Sequence, residues 1–138
     1  MNIDTDVVIV GAGLSGLHTA FQLSQQGVSF QLLEARQRIG GRIHSPHHYD
    51  LGPAWFWQGH ECVMDLLQQF RIDWYEQQDE GTGLYQSRSS MMQLPRGYTG
   101  QSFRVKNGLG SLSQALAQSI SSDTLSLGHR VTSIAQET

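Results

Sequence analysis

Val7-Val8-Ile9-Val10-Gly11-Ala12-Gly13-Leu14-Ser15-Gly16 is the stretch on which the fold turns. Its first four residues are a β-branched run without alternation. They predict a short strand covered on both faces, as in a parallel sheet. The glycines at 11, 13 and 16 form G-x-G-x-x-G, and each has a task. The first permits a tight turn out of the strand, the second lets a pyrophosphate approach the backbone, and the third lets the helix pack close to the sheet. Leu17, Ala20, Phe21 and Ser24 then share one helical face, and Gly27 stops the pattern as a C-terminal cap. Ser29 to Leu33 predicts the second strand, closed by Glu34. A helix following such a turn presents free N–H groups and the positive end of its dipole to phosphate. Ser15, in its first turn, adds a hydroxyl donor. A carboxylate at Glu34 would accept hydrogen bonds from ribose hydroxyls and repel a 2′-phosphate.

Working outward, Ala35 to His48 reads as a loop rich in Arg, Gly and His, and Tyr49 to Gly52 as a short extended piece stopped by Pro53. Val63, Leu66, Leu67 and Phe70 have the spacing of an amphipathic helix over about Gly59 to Phe70. Ile72 to Gln77 predicts a strand, and Gln78 to Gly100 a hairpin with irregular ends. Leu109, Leu112, Leu116 and Ile120 mark a helix over Gly110 to Ser121, and Leu125 to Leu127 and Val131 to Ile134 read as two short strands. The expected fold class is α/β: a Rossmann-type FAD/NAD(P)-binding fold with a parallel sheet, incomplete, plus a short accessory segment. Residues 1–58 would bind the dinucleotide, 59–104 would form the accessory, substrate-side segment, and 105–138 would return into the binding domain.

The 138 residues carry a formal net charge of -3. The nine Lys and Arg are scattered, so no basic stretch points to nucleic acid. No apolar run approaches the roughly 20 residues that span a bilayer, and the acidic start at Asp4 and Asp6 does not resemble a signal peptide. The expectation is a soluble, cytoplasmic protein. The single cysteine, Cys62, excludes an internal disulfide, and its neighbours Val63, Leu66 and Leu67 predict a buried, inert thiol.

The segment Glu34-Ala35-Arg36-Gln37-Arg38-Ile39-Gly40-Gly41-Arg42 runs straight on from the ribose carboxylate. Two glycines beside an arginine bring backbone and guanidinium towards the same pyrophosphate from its other side, and the planar fork of arginine suits phosphate oxygens. An extended FAD needs such a clamp; the minimal NAD unit does not use it.

With these motifs the chain resembles the flavin-containing amine oxidases, the family of monoamine, polyamine and L-amino-acid oxidases. The resemblance rests on Val8 to Gly16, Leu33 to Arg42, Asp50 to Trp55 (D-L-G-P-A-W) and, more loosely, Arg104 to Leu112. It implies FAD as cofactor. Gly11, Gly13, Ser15 and Gly16 would hold the pyrophosphate, and Glu34 the adenosine ribose with Arg36 nearby. Gly41 and Arg42 would line the phosphate and ribityl path. Gly52, Pro53, Ala54 and Trp55 would pass the isoalloxazine ring, and the backbone of Val131 would meet the adenine. It further implies hydride transfer from a C–H bond to the flavin, reoxidation by dioxygen to hydrogen peroxide and, for an amine substrate, an imine that hydrolyses. Phytoene-desaturase-like and protoporphyrinogen-oxidase-like enzymes share the first two motifs, so other flavin oxidases and desaturases stay open, as does a non-catalytic nucleotide-binding remnant. An NAD-dependent dehydrogenase is disfavoured by Arg36 to Arg42.

The family continues beyond Thr138, and its C-terminal stretch completes the flavin pocket. Only about 50 residues separate Trp55 from Arg104, where the family usually has a longer insertion. The isolated chain is therefore expected to be inactive, and a truncated sheet to promote self-association. No acid, base or nucleophile stands out. His44, His47, His48 and Asp50 read as a solvated loop rather than a metal site, His18 as a surface or partly buried residue, Asp79-Glu80 as a solvated loop and Lys106 as an exposed lysine.

Overall fold

The computed structural model describes residues 4–78 and 80–136, so Asp79 and Thr138 lie outside the described residues. Strand β1 (Val7–Val10), helix α1 (Leu14–Gln25) and strand β2 (Phe30–Glu34) form the opening unit. There follow β3 (Phe56–Trp57), α2 (Glu61–Gln69), β4 (Trp74–Glu76), β5 (Gly83–Gln86), β6 (Met91–Leu94), β7 (Ser102–Val105), α3 (Gly110–Gln118) and β8 (Leu125–Leu127). Short 3₁₀ turns occupy Pro46–His48 and Ser122–Thr124.

Strands β1, β2 and β8 make a parallel sheet in the order β1-β2-β8, with Val7 opposite Phe30 and Leu32 opposite Leu125. The central β2 is buried along most of its length, and Gln31 Nε2 bonds Ser126 Oγ at 3.0 Å across to β8. Helix α1 ends as its sequence predicts. Gly27 takes φ +69°, its N–H meets the carbonyl of Ser24, and Val28 N–H meets that of Leu23, which is a Schellman cap. The core gathers Leu17 and Ala20 of α1, Leu32 of β2, and Leu112 and Leu116 of α3, all fully buried. Burying each leucine contributes about 1.5–3 kcal/mol. Phe21 meets Phe70 edge-on at 5.4 Å, which ties the turn after α2 to α1.

The middle of the chain forms two further sheets. Strands β3, β7 and β4 are antiparallel with β7 in the centre, pairing Phe56 with Phe103 and Tyr75 with Arg104. Strands β5 and β6 form the expected hairpin, with Tyr85 opposite Met92.

Four expectations need correction. Val8 and Val10 are exposed rather than covered: α1 packs on β1, Val7 and Ile9 join the core, and Val8 and Val10 alternate to the uncovered face. Cys62 is exposed: it lies in the first turn of α2, off the Val63–Leu67–Phe70 stripe that faces the core. Val131 to Ile134 forms no strand, and Ile134 is exposed with no neighbouring strand to pair with it among the described residues. The extended piece expected over Tyr49 to Gly52 holds only at its start: Tyr49 is extended, whereas Leu51 and Gly52 bend, and Leu51 N–H reaches the carbonyl of His44 at 2.8 Å.

Candidate nucleotide-binding site

The strand β1 delivers Gly11 into a turn with φ +100°, a conformation that only glycine adopts without strain. Gly13 is extended and caps α1, and a Cβ there would meet nothing closer than Gly41 Cα at 4.0 Å. Gly13 therefore leaves backbone open to an approaching group. Gly16 is the reverse case, since a Cβ there would lie 2.0 Å from the carbonyl oxygen of Gly11. These three environments match the three tasks that the motif assigns.

The second glycine pair packs onto the first. Gly40 and Gly41 both have positive φ, Gly40 N–H donates to the Ala12 carbonyl at 2.7 Å, and a Cβ on Gly41 would stand 3.2 Å from Gly13 Cα. Two turns far apart in sequence thus touch backbone to backbone. An open groove of about 610 Å³ runs along this contact. It is lined by Gly11, Gly13, Ser15 and Gly16 of the first turn, by Arg36, Gly41 and Arg42 of the second motif, and by Pro53. The two arginines are solvent-exposed, so their guanidinium groups are free to meet an anion in it.

Glu34 sits behind the turn, 6% exposed. Its two carboxylate oxygens accept Ala12 N–H at 2.8 Å and Arg36 N–H at 2.9 Å. Burial pushes the carboxyl pKa up. The N–H groups of Arg36 and Ala12, with the charges of Arg36 and Arg38, outweigh burial and hold it below the ordinary carboxylate value. The carboxylate thus bridges the glycine turn to the arginine segment, and each oxygen keeps lone-pair capacity for a hydroxyl.

Other expected residues lie apart from this groove. Gly52 packs against the loop after Arg42, where a Cβ would come 2.1 Å from the Arg42 carbonyl oxygen. Trp55 is 45% exposed and lies under the Arg104 guanidinium at 5.5 Å, with Trp57 edge-on to it at 6.5 Å. Pro53 and Ala54 link Gly52 to Trp55. Phe56, the middle member of the aromatic run, is core and stacks on Phe103. Val131 follows β8, half-buried and outside the groove, although His129 N–H before it reaches the Glu34 carbonyl at 2.8 Å. Lys106 is exposed and pairs loosely with Asp73 at 3.8 Å. His18 is half-buried and meets Gln22 at 3.2 Å. Sequence reasoning missed the partners of Asp50. Its carboxylate accepts Ser45 Oγ–H and Leu109 N–H rather than joining the histidines.

Residues 9–70 match the NAD(P)-binding Rossmann-like domain family. The chain is 36% identical over 80 residues to a probable flavin-containing monoamine oxidase A of Dictyostelium discoideum, a match that covers 55% of this chain and 18% of that protein. Over that stretch the chain is similar to proteins named as amine oxidases. A putrescine oxidase of Kocuria rosea is 33% identical over 87 residues, covering 60% of this chain and 18% of the relative. Among solved structures, cyclohexylamine oxidase from Brevibacterium oxydans superposes with a TM-score of 0.61 at 28% identity, over 67% of this chain and 22% of that one. Wild-type putrescine oxidase bound to putrescine superposes with a TM-score of 0.57 at 31% identity, over 67% of this chain and 22% of that one. The chain therefore spans less than a quarter of the length of these oxidases. No helix among the described residues is long and apolar enough to cross a membrane.

Proposed function

We propose that this chain holds the ADP half of FAD in the groove between its two glycine turns, as the N-terminal portion of an amine-oxidising flavoenzyme. The observation that carries the reading is the packing of Gly41 on Gly13 with Arg36 and Arg42 beside them. That arrangement supplies backbone N–H groups from one side of a pyrophosphate and guanidinium groups from the other. Gly11, Gly13, Ser15 and Gly16 would take one face of the pyrophosphate, and Gly41 and Arg42 the other. Glu34 and Arg36 would meet the ribose. Gly52, Pro53, Ala54 and Trp55 would lead towards the flavin ring, and Val131 towards the adenine. When bound, FAD supplies the hydride acceptor and its reoxidation by dioxygen. The residues of this chain bind and orient it. Residues 1–58 and 105–138 would form the binding domain and 59–104 its accessory segment.

Amine as the substrate class is supported by the names of the relatives and by the open aromatic pair Trp55 and Trp57. The test is spectroscopic, then chemical. Purified full-length protein should carry a flavin absorbance spectrum, and it should release peroxide with primary amines or polyamines. A flavin spectrum without peroxide from any amine would move the reading to another flavin oxidase or desaturase. A colourless protein that takes up no added FAD would end it.

A further inference from the structure

The first turn of α3 is capped by a loop more than fifty residues earlier in the chain. Asp50 Oδ1 accepts Leu109 N–H at 2.9 Å and the hydroxyl proton of Ser45, while Ser45 Oγ accepts Gly110 N–H at 2.9 Å. Leu109 itself offers no side-chain cap, so these two residues take N–H groups that the helix cannot satisfy from within. The surroundings leave no slack. A Cβ on Gly110 would lie 2.8 Å from Ser45 Oγ, and one on Gly108 would lie 3.2 Å from Asp50 Oδ1, with Gly108 at φ +78°. The glycines of the Lys106 to Gly110 turn therefore make room for the Ser45–Asp50 pair.

The clamped loop is also a wall of the groove. Its beginning, Gly41 to Ile43, and its end, Pro53, line that groove together with Leu109 of the helix it clamps. Gly52 packs onto the carbonyl of Arg42, so the two ends of the loop are held against each other. We infer that Ser45 and Asp50 are positioning residues for dinucleotide binding: they fix the Gly41–Pro53 loop on the start of α3 and so set the distance between Arg42 and the phosphate turn. The inference rests on the nucleotide reading given above.

The test compares Asp50→Ala, Ser45→Ala and Asp50→Asn in the full chain, with folding checked by circular dichroism. Amide hydrogen exchange at Leu109 and Gly110 reads the clamp, and calorimetric titration with ADP reads the groove. Asp50→Ala should speed exchange at Leu109 and weaken ADP binding, each by about tenfold, the equivalent of one lost hydrogen bond. Ser45→Ala should do the same at Gly110. Asp50→Asn keeps an acceptor oxygen and should stay within about threefold of wild type in both readouts. Unchanged exchange in Asp50→Ala overturns the clamp. Faster exchange with unchanged ADP affinity overturns its positioning role, as does an Asp50→Asn protein as weak as Asp50→Ala. If wild type itself binds no ADP while Leu109 and Gly110 stay protected, the nucleotide reading has failed and the positioning role falls with it, leaving a cap of purely structural effect.

Discussion

Replacing Glu34 by glutamine probes the join between the two motifs. Both carboxylate oxygens are engaged, one by Ala12 N–H and one by Arg36 N–H, in a site that is almost closed to water. Glutamine has nearly the same shape but only one acceptor oxygen. Its amide NH₂ must point at one of the two backbone N–H groups, so that donor meets donor. The loss is one buried charge-assisted bond plus a stranded N–H, about 2–3 kcal/mol. With a urea m-value of about 2 kcal/mol/M for a chain of this size, the unfolding midpoint should fall by about 1 M. The same substitution should change the acid limb. The folded-state pKa of Glu34 lies below its unfolded value. Its contribution is therefore complete above the unfolded pKa and is lost as pH falls through the folded one. Wild type should lose this stability on acidification below the ordinary carboxylate range, and Glu34→Gln should show a flatter limb there. A Glu34→Gln protein within about 0.5 kcal/mol of wild type at neutral pH would refute the reasoning, since surface substitutions fall in that range.

Two further outcomes follow from packing. Gly16→Ala places a Cβ 2.0 Å from a backbone oxygen that cannot rotate away. The helix-propensity gain of about 1 kcal/mol is smaller than the overpacking cost of about 1–3 kcal/mol or more, so thermal unfolding should show a net loss and α1 should shift off the sheet. Cys62 stands exposed, so a thiol reagent should label it in the native protein without denaturant; labelling only after denaturation would contradict the structure.

The opening unit was legible because its constraints are local. A β-branched run, three glycines with separate backbone tasks and Gly27 as a cap each act within a few residues, and the helices over Val63 to Phe70 and Leu109 to Leu116 announce themselves by periodicity. What escaped depends on distant partners. The exposure of Val8 and Val10 follows from which layers cover β1, and no pattern within the strand states that. The exposure of Cys62 depends on where α2 meets the core, which apolar neighbours in sequence do not reveal. Asp50 read as part of a histidine-rich loop because its partners, Leu109 N–H above all, come from the other end of the chain. Glu34 could be picked out as a carboxylate at a strand end, whereas its two backbone donors became visible only once Ala12 and Arg36 were set in space.

The central claim is that a diphosphate lies between the two glycine turns, and the most direct measurement is residue-resolved NMR of the protein titrated with ADP. The account predicts saturable shifts at the backbone amides of Gly11 to Gly16 and of Gly40 to Arg42. Shifts confined to the separate cleft around His48, Arg104 and Lys106, or no shifts at all, would contradict it.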